Sequence, residues 1–180
     1  MANKATVKKN AAIANLGLLI EDEVSTSIPS PLGNILIVAN SKGITRVAFD
    51  CPKPNLKRAN NSPAMDHLLK AEEALVGFFA GRPIKTSALA LAPEGTDFQK
   101  AVWKKLVAIK YGSTTTYGEI ADDLDRPGAA RGVGQACGAN PIVIIIPCHR
   151  VLAANGALGG FSSGIERKKV LLKLEDTRLH

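Results

Sequence analysis

Aromatic residues make up only 4% of this 180-residue chain, and cysteine and histidine occur three times each. So few rings leave a core of mainly aliphatic side chains, within a hydrophobic share of 46%. Cys51, Cys137 and Cys148 are too few and too scattered for a disulfide framework, which points to a reducing compartment. No pair of Cys or His has the spacing of a zinc site. No apolar run approaches the ~20 residues needed to cross a membrane. Lys4, Lys8 and Lys9 precede an apolar segment at 11–20, but Asn15 interrupts it and Glu21-Asp22-Glu23 follow. The small-x-small match Ser25-Thr26-Ser27 lies beyond that acidic cluster and lacks alanine. The segment reads as a leader or a first strand rather than a secretion signal. Internal repeats and low-complexity stretches are absent as well.

The formal net charge is +7, and it is unevenly spread. Residues 126–180 hold eight Lys/Arg against three Asp/Glu, a net +5, whereas residues 61–125 hold seven against nine. A basic C-terminal third favours a polyanionic partner, although such excesses also occur on ordinary solvated surfaces.

The chain divides near residue 92. Before it, alternating apolar stretches at 35–39 and 44–49 flank Ser41-Lys42-Gly43 and predict a β-hairpin. Residues 51–61 read as a loop. Ser62-Pro63 opens an amphipathic helix with Met65, Leu68, Leu69, Leu75, Phe78 and Phe79 on its apolar positions, closed by Gly81. Residues 82–95 read as a linker carrying a short strand. After it, the pattern changes to short helices. Thr96-Asp-Phe-Gln99 is a capping box that predicts a helix to about Lys110. Thr116-Tyr-Gly-Glu119 is a second, for a helix to about Leu124. Arg126-Pro127 predicts a third helix to about Ala139. The last two, joined by about three residues, form a helix-turn-helix candidate. Asn140-Pro141 stops the third helix, the all-apolar run 142–146 predicts a strand, and Ser163 predicts a final basic helix to Glu175.

That apolar run delivers Pro147-Cys148-His149-Arg150. The ordinary fate of a lone cysteine is burial as an inert thiol. Three features oppose it: Pro147 places the thiol at a corner, His149 is a base, and Arg150 favours thiolate if its head stays near. Neighbours on a strand face opposite ways, so His149 would need a water or the turn itself to relay a proton. Glu175 is a candidate to fix the histidine tautomer, or an ordinary helix-end carboxylate. A nucleobase-deaminase zinc site fails, because Val151 stands at the second cysteine position of Pro-Cys-x-x-Cys and no His-x-Glu exists.

The third helix is nearly all small. Gly132, Gly134 and Gly138 each cost about 1 kcal/mol of helix propensity relative to Ala. Either the helix packs closely on a neighbour, or it lies close against a nucleic-acid groove with Arg131 as its one charged side chain.

The runs Gly95-Thr-Asp-Phe-Gln-Lys-Ala-Val-Trp103, Tyr111-Gly-Ser-Thr-Thr-Thr-Tyr-Gly-Glu-Ile-Ala121, Arg126-Pro-Gly-Ala-Ala-Arg131, Asn140-Pro with Ile-Pro-Cys-His-Arg150, and Gly159-Gly-Phe-Ser-Ser-Gly-Ile-Glu-Arg-Lys-Lys-Val-Leu-Leu172 closely resemble the O6-alkylguanine-DNA alkyltransferases. The resemblance implies an α/β ribonuclease-H-like domain over residues 1–92, a small β-sheet with a helix. It implies a mainly α winged helix-turn-helix domain over 93–180. It further implies direct repair of O6-alkylguanine and O4-alkylthymine in double-stranded DNA by a cytoplasmic monomer (nuclear in a eukaryote), without cofactor or metal. Cys148 would accept the alkyl group irreversibly, His149 would be the water-linked base, Glu175 would polarise it, and Tyr117 would donate to the leaving guanine. Arg131 would replace the flipped nucleotide, with Arg126, Ala130 and Gly134 beside the DNA. Asn140 would hold the turn before the active-site strand and, with Val151, Phe161, Ser162 and Cys137, form the base site. Phe161 departs from the tyrosine of many relatives, which keeps the ring and loses a hydroxyl contact. The small Ser163 would leave the pocket mouth open to alkyl groups larger than methyl. Two rival readings are a recognition module that binds alkylated bases without transfer, and a small thiol hydrolase.

Overall fold

The computed structural model describes residues 23–51 and 62–176. The segment at 11–20 and most of the 51–61 loop therefore lie outside the described residues.

Strands β1 (Val24–Ile28), β2 (Ile35–Asn40) and β3 (Gly43–Phe49) form an antiparallel sheet in that order. The predicted hairpin is β2–β3, whose register shifts between Val38 and Ala39. β1 adds a strand just downstream of the segment considered for that place. Helix α1 (Pro63–Phe79) covers the sheet. Ser62 caps it by accepting from the Met65 amide, and proline occupies its first turn, where no backbone donor is needed. Its stripe of Leu68, Ala71, Leu75 and Phe78 is fully buried in one core with Ile35, Ile37, Ile44 and Val47 of the sheet.

The free edge of β3 is closed by two later segments, which removes an open row of backbone groups. The Ile44 amide donates to Ala90 O at 2.8 Å, and Ala92 returns a bond to Ile44 O at 2.8 Å. The Val47 amide donates to Pro141 O at 2.9 Å, and Val143 donates to Val47 O at 3.1 Å. The linker strand is thus a single bridge at Leu91 beside a short 3-10 turn, Thr86–Ala88.

Helices α2 (Asp97–Val107), α3 (Tyr117–Asp122) and α4 (Ala130–Gly138) follow. Both predicted capping boxes are formed, at Thr96/Gln99 and Thr116/Glu119. α4 packs on α2 and α3, and Trp103 pins it by donating its indole N–H to Ala136 O at 2.8 Å. All three helices end earlier than predicted, and α4 starts at Ala130 rather than at Pro127. Asp125 (φ 55°) and Gly128 (φ 86°) keep the chain out of helix, so seven residues, not three, join α3 to α4. A two-stranded parallel ladder, β4 (Thr115–Thr116) with β5 (Val151–Leu152), and helix α5 (Ile165–Leu174) complete the described residues. α5 begins at Ile165 behind Gly164 and has no side-chain cap from Ser163.

The predicted strand at 142–146 does not form. Residues 142–146 are a buried turn in which Ile146 N donates to Ile142 O at 2.9 Å and Ile144 sits at φ 72°. A β-branched residue at positive φ is a strained conformation. Asn140 holds it from within: Oδ1 accepts from Ile142 N at 3.0 Å and Nδ2 donates to Ile146 O at 2.8 Å. An unbroken apolar run carries no period, so burial alone did not specify a strand.

Candidate active site

The turn at 142–146 ends in a 3-10 turn, Cys148–Arg150, that presents Cys148 at the base of an open pocket of about 600 Å³. Tyr117, Ala130, Arg131, Gly134, Cys137, Gly138, Cys148, Phe161 and Ser162 line it, together with Gln135 and Gly160, which sequence reasoning did not single out. Arg131 is exposed. Gly132 faces Phe98 and Gly134 faces Tyr117, whereas a side chain at Gly138 would meet nothing within 4 Å. The small residues thus serve helix packing at one end of α4 and leave an open surface at the other.

The Cys148 thiol is buried, and burial pushes its pKa up. A hydrogen bond from Asn140 Nδ2 to Sγ at 3.2 Å and the charge of Lys168 work against that rise. Asn140 therefore supports the strained turn and the sulfur at once. Cys137 shares the pocket, but burial and the neighbouring Cys148 push its pKa to about 12.

His149 lies behind the thiol, fully buried. Burial holds its pKa below the ordinary value despite Glu175, so the ring is neutral near pH 7. Its Nε2 is 2.7 Å from Glu175 Oε1, and its buried Nδ1 has no protein partner among the described residues. A carboxylate accepts only, so Nε2 carries the hydrogen and Nδ1 keeps a lone pair.

Arg150 does not stay near the thiol. Its guanidinium grips Glu175 in a fork, Nε to Oε2 at 2.9 Å and Nη2 to Oε1 at 3.0 Å, and Nη1 donates to Ile109 O at 2.6 Å. The Gly112 amide also donates to Glu175 Oε2, at 3.1 Å. Burial opposes the charge on Glu175, but the bonds from His149 and Arg150 outweigh it and hold the carboxyl below the usual carboxylate range. Glu175 is 2% exposed, so it is no ordinary helix-end carboxylate.

Lys168 is the buried charge that sequence reasoning missed. It is fully buried, and its ammonium donates to Val151 O at 2.5 Å, to Leu158 O, and to Gly160 O at 3.4 Å. Its position was legible in one respect. Lys168, Leu171, Leu172 and Glu175 follow i, i+3, i+4, i+7 spacing, so a lysine and a glutamate bracket the inward stripe of α5.

Tyr117 stands over the pocket, its hydroxyl 3.4 Å from Gly160 O. Gly159 (φ 65°) allows this approach, since a β-carbon there would come within 3.3 Å of the phenol oxygen. Burial, then the two thiols, push the Tyr117 pKa up and keep the phenol protonated. Three expected residues stand apart from the pocket wall. Asn140 lies behind it, bonded to the turn and to the sulfur. Val151 is fully buried with its carbonyl taken by Lys168, and the Arg126 guanidinium lies 5.7 Å from the centroid of the Phe98 ring.

The buried groups set a pH window. The folded value of His149 lies below the ~6.5 of an unfolded chain, so the unfolded state binds the extra proton first as pH falls. Stability then declines below about pH 6.5. Glu175, also lowered, adds a further loss as pH falls through its folded value. Cys148 acts at the other end: its folded value exceeds the unfolded ~8.5, so stability declines above about pH 8.5. Thermal melts from pH 5 to 10 should peak between those limits; a melting temperature that rises on acidification would contradict the neutral His149.

Residues 97–177 match the model of the 6-O-methylguanine DNA methyltransferase DNA binding domain, and residues 24–93 match that family's ribonuclease-like domain. The chain belongs to the 6-O-methylguanine DNA methyltransferase family. A methylated-DNA--protein-cysteine methyltransferase of Methanosarcina acetivorans is 45% identical across 81% of this chain and 94% of its own length. Its counterpart from Haemophilus influenzae is 42% identical across 83% and 84%. Among solved structures, Mycobacterium tuberculosis OGT in complex with DNA superposes with a TM-score of 0.71 at 41% identity, covering 83% of this chain and 90% of that one. The methyltransferase architecture of two domains, ribonuclease-like and DNA-binding, is therefore that of this chain. Among the described residues, no helix is long and apolar enough to cross a membrane.

Proposed function

We propose that this protein repairs O6-alkylguanine in DNA, and by the same chemistry O4-alkylthymine, by moving the alkyl group onto Cys148. The observation that carries this reading is the placement of Cys148. The thiol forms the floor of a pocket beside an exposed Arg131, hydrogen-bonded by Asn140 and backed by a neutral His149 whose free Nδ1 can accept a proton.

The thiol proton passes through one water to His149 Nδ1, and Glu175 stabilises the imidazolium that forms. The thiolate attacks the alkyl carbon, an S–C bond forms and the C–O6 bond breaks. Guanine departs as an anion, and the protonated phenol of Tyr117 donates to it. The product is a thioether with no hydrolysable bond, so one molecule repairs one lesion. Nucleotide flipping costs a few kcal/mol, and Arg131 offsets it by filling the vacated place in the stack. Such a protein works where the DNA is, in the cytoplasm or, in a eukaryote, the nucleus.

Incubation with an O6-methylguanine duplex should add one methyl group to Cys148, at a stoichiometry near one and without turnover. Unchanged mass would favour the recognition module, and catalytic turnover the hydrolase. Arg131→Ala should slow repair of the duplex by about 10–100-fold while leaving reaction with free O6-benzylguanine near wild type, because only the duplex requires flipping. Equal losses on both substrates would contradict its role.

A further inference from the structure

Two consecutive residues of α5 hold the pocket wall at opposite ends. Lys168 takes the inner end through the carbonyl oxygens of Leu158 and Gly160. Arg167 takes the outer end, donating from Nη1 to Ser163 O at 3.0 Å. Between these points lie Phe161 and Ser162, both facing the pocket.

Arg167 also reaches the N-terminal sheet. Nε donates to Leu32 O at 3.0 Å, Nη2 pairs with the Asp50 carboxylate, and the guanidinium lies 4.7 Å from the centroid of the Phe49 ring. Asp50 is itself held in place: its amide donates to Asn34 O at 3.0 Å, and its backbone adopts φ 50°. The neighbouring turn is shaped around this carboxylate. Gly33 has φ 106°, and a β-carbon there would lie 2.7 Å from Asp50 Oδ1.

The geometry points to Arg167 and Asp50 as a positioning pair through which the N-terminal sheet fixes the outer end of the 160–163 wall and thereby sets how well the pocket captures an alkylated base. The inference rests on reading the pocket as the alkylguanine site. Neither residue lines the pocket that holds the thiol, so the intrinsic reactivity of Cys148 is independent of them.

The test compares wild type, Asp50→Asn and Arg167→Lys against two electrophiles. O6-benzylguanine must be captured by the pocket wall, whereas iodoacetamide needs only the thiol. Asp50→Asn keeps the shape and removes the charge. Arg167→Lys keeps the charge, but one ammonium cannot serve four partners. In both variants the concentration of O6-benzylguanine giving half the limiting rate should rise about fivefold, a modest effect because the pair is partly solvent-exposed. The limiting rate and the iodoacetamide rate should stay at wild type. A wild-type half-saturation in Asp50→Asn overturns the proposal, as does a parallel fall in the limiting and iodoacetamide rates. Failure of the wild type itself to react with O6-benzylguanine, with iodoacetamide still modifying Cys148, would instead overturn the alkyltransferase reading.

Discussion

A Cys148→Ala variant should bind an O6-methylguanine duplex and gain no mass from it. The only other thiol in the pocket is Cys137, whose pKa is pushed to about 12. At pH 7 such a thiol is ionised to about one part in 10⁵. Transfer should fall below detection in an overnight incubation read by intact mass, because the Asn140 bond to sulfur and the proposed proton path to His149 belong to position 148. The fold should tolerate the change. Losing one sulfur from a buried site costs about 1 kcal/mol, and Asn140 Nδ2 keeps its bond to Ile146 O. DNA binding measured by fluorescence anisotropy should thus stay near wild type. A methyl group appearing on Cys137 at a comparable rate would show that position 148 is not the unique acceptor.

Glu175→Gln should weaken both the fold and the chemistry. The carboxylate accepts from His149, twice from Arg150, and from the Gly112 amide, with its side chain fully buried. Glutamine offers one acceptor oxygen and turns a donor toward partners that are donors themselves. Arg150 is then left buried without its counter-charge, at a cost of about 3–5 kcal/mol. For a chain of this size that corresponds to a melting temperature lower by about 10 °C. Transfer to Cys148 should slow by about 10²–10³-fold, because no anion remains to stabilise the imidazolium. Urea unfolding and the rate with O6-benzylguanine measure the two effects. Stability within 1 kcal/mol of wild type would mean that Arg150 has another partner. An unchanged rate would remove His149 from the proton path.

Much of the fold was legible because its signals are local. A capping box needs only four residues, and Thr96/Gln99 and Thr116/Glu119 both form as their spacing predicts. The hairpin and the Ser62-Pro63 helix start are of the same kind. Helix ends were less legible: α3 stops at Asp122 rather than Leu124, since the backbone at Asp125 and Gly128 turns to positive φ. The site was legible in its chemistry and not in its wiring. Arg150 would favour the thiolate only if its head stayed near, yet its fork matches Glu175, and a buried carboxylate holds a guanidinium more strongly than a thiol can.

The sequence by itself determined the class of the protein and located the cysteine proposed as its acceptor. The motif Pro147-Cys148-His149-Arg150, the small-residue helix and the capped helices before it are all written in short stretches of chain. Only the tertiary structure decided that residues 142–146 form a strained turn, that Lys168 is buried beneath the pocket wall, and that Arg167 meets Asp50 from 117 positions away. The division has one physical cause. Caps and turns satisfy backbone groups within a few residues, whereas a buried charge is stable only with partners that distant parts of the chain must bring to it.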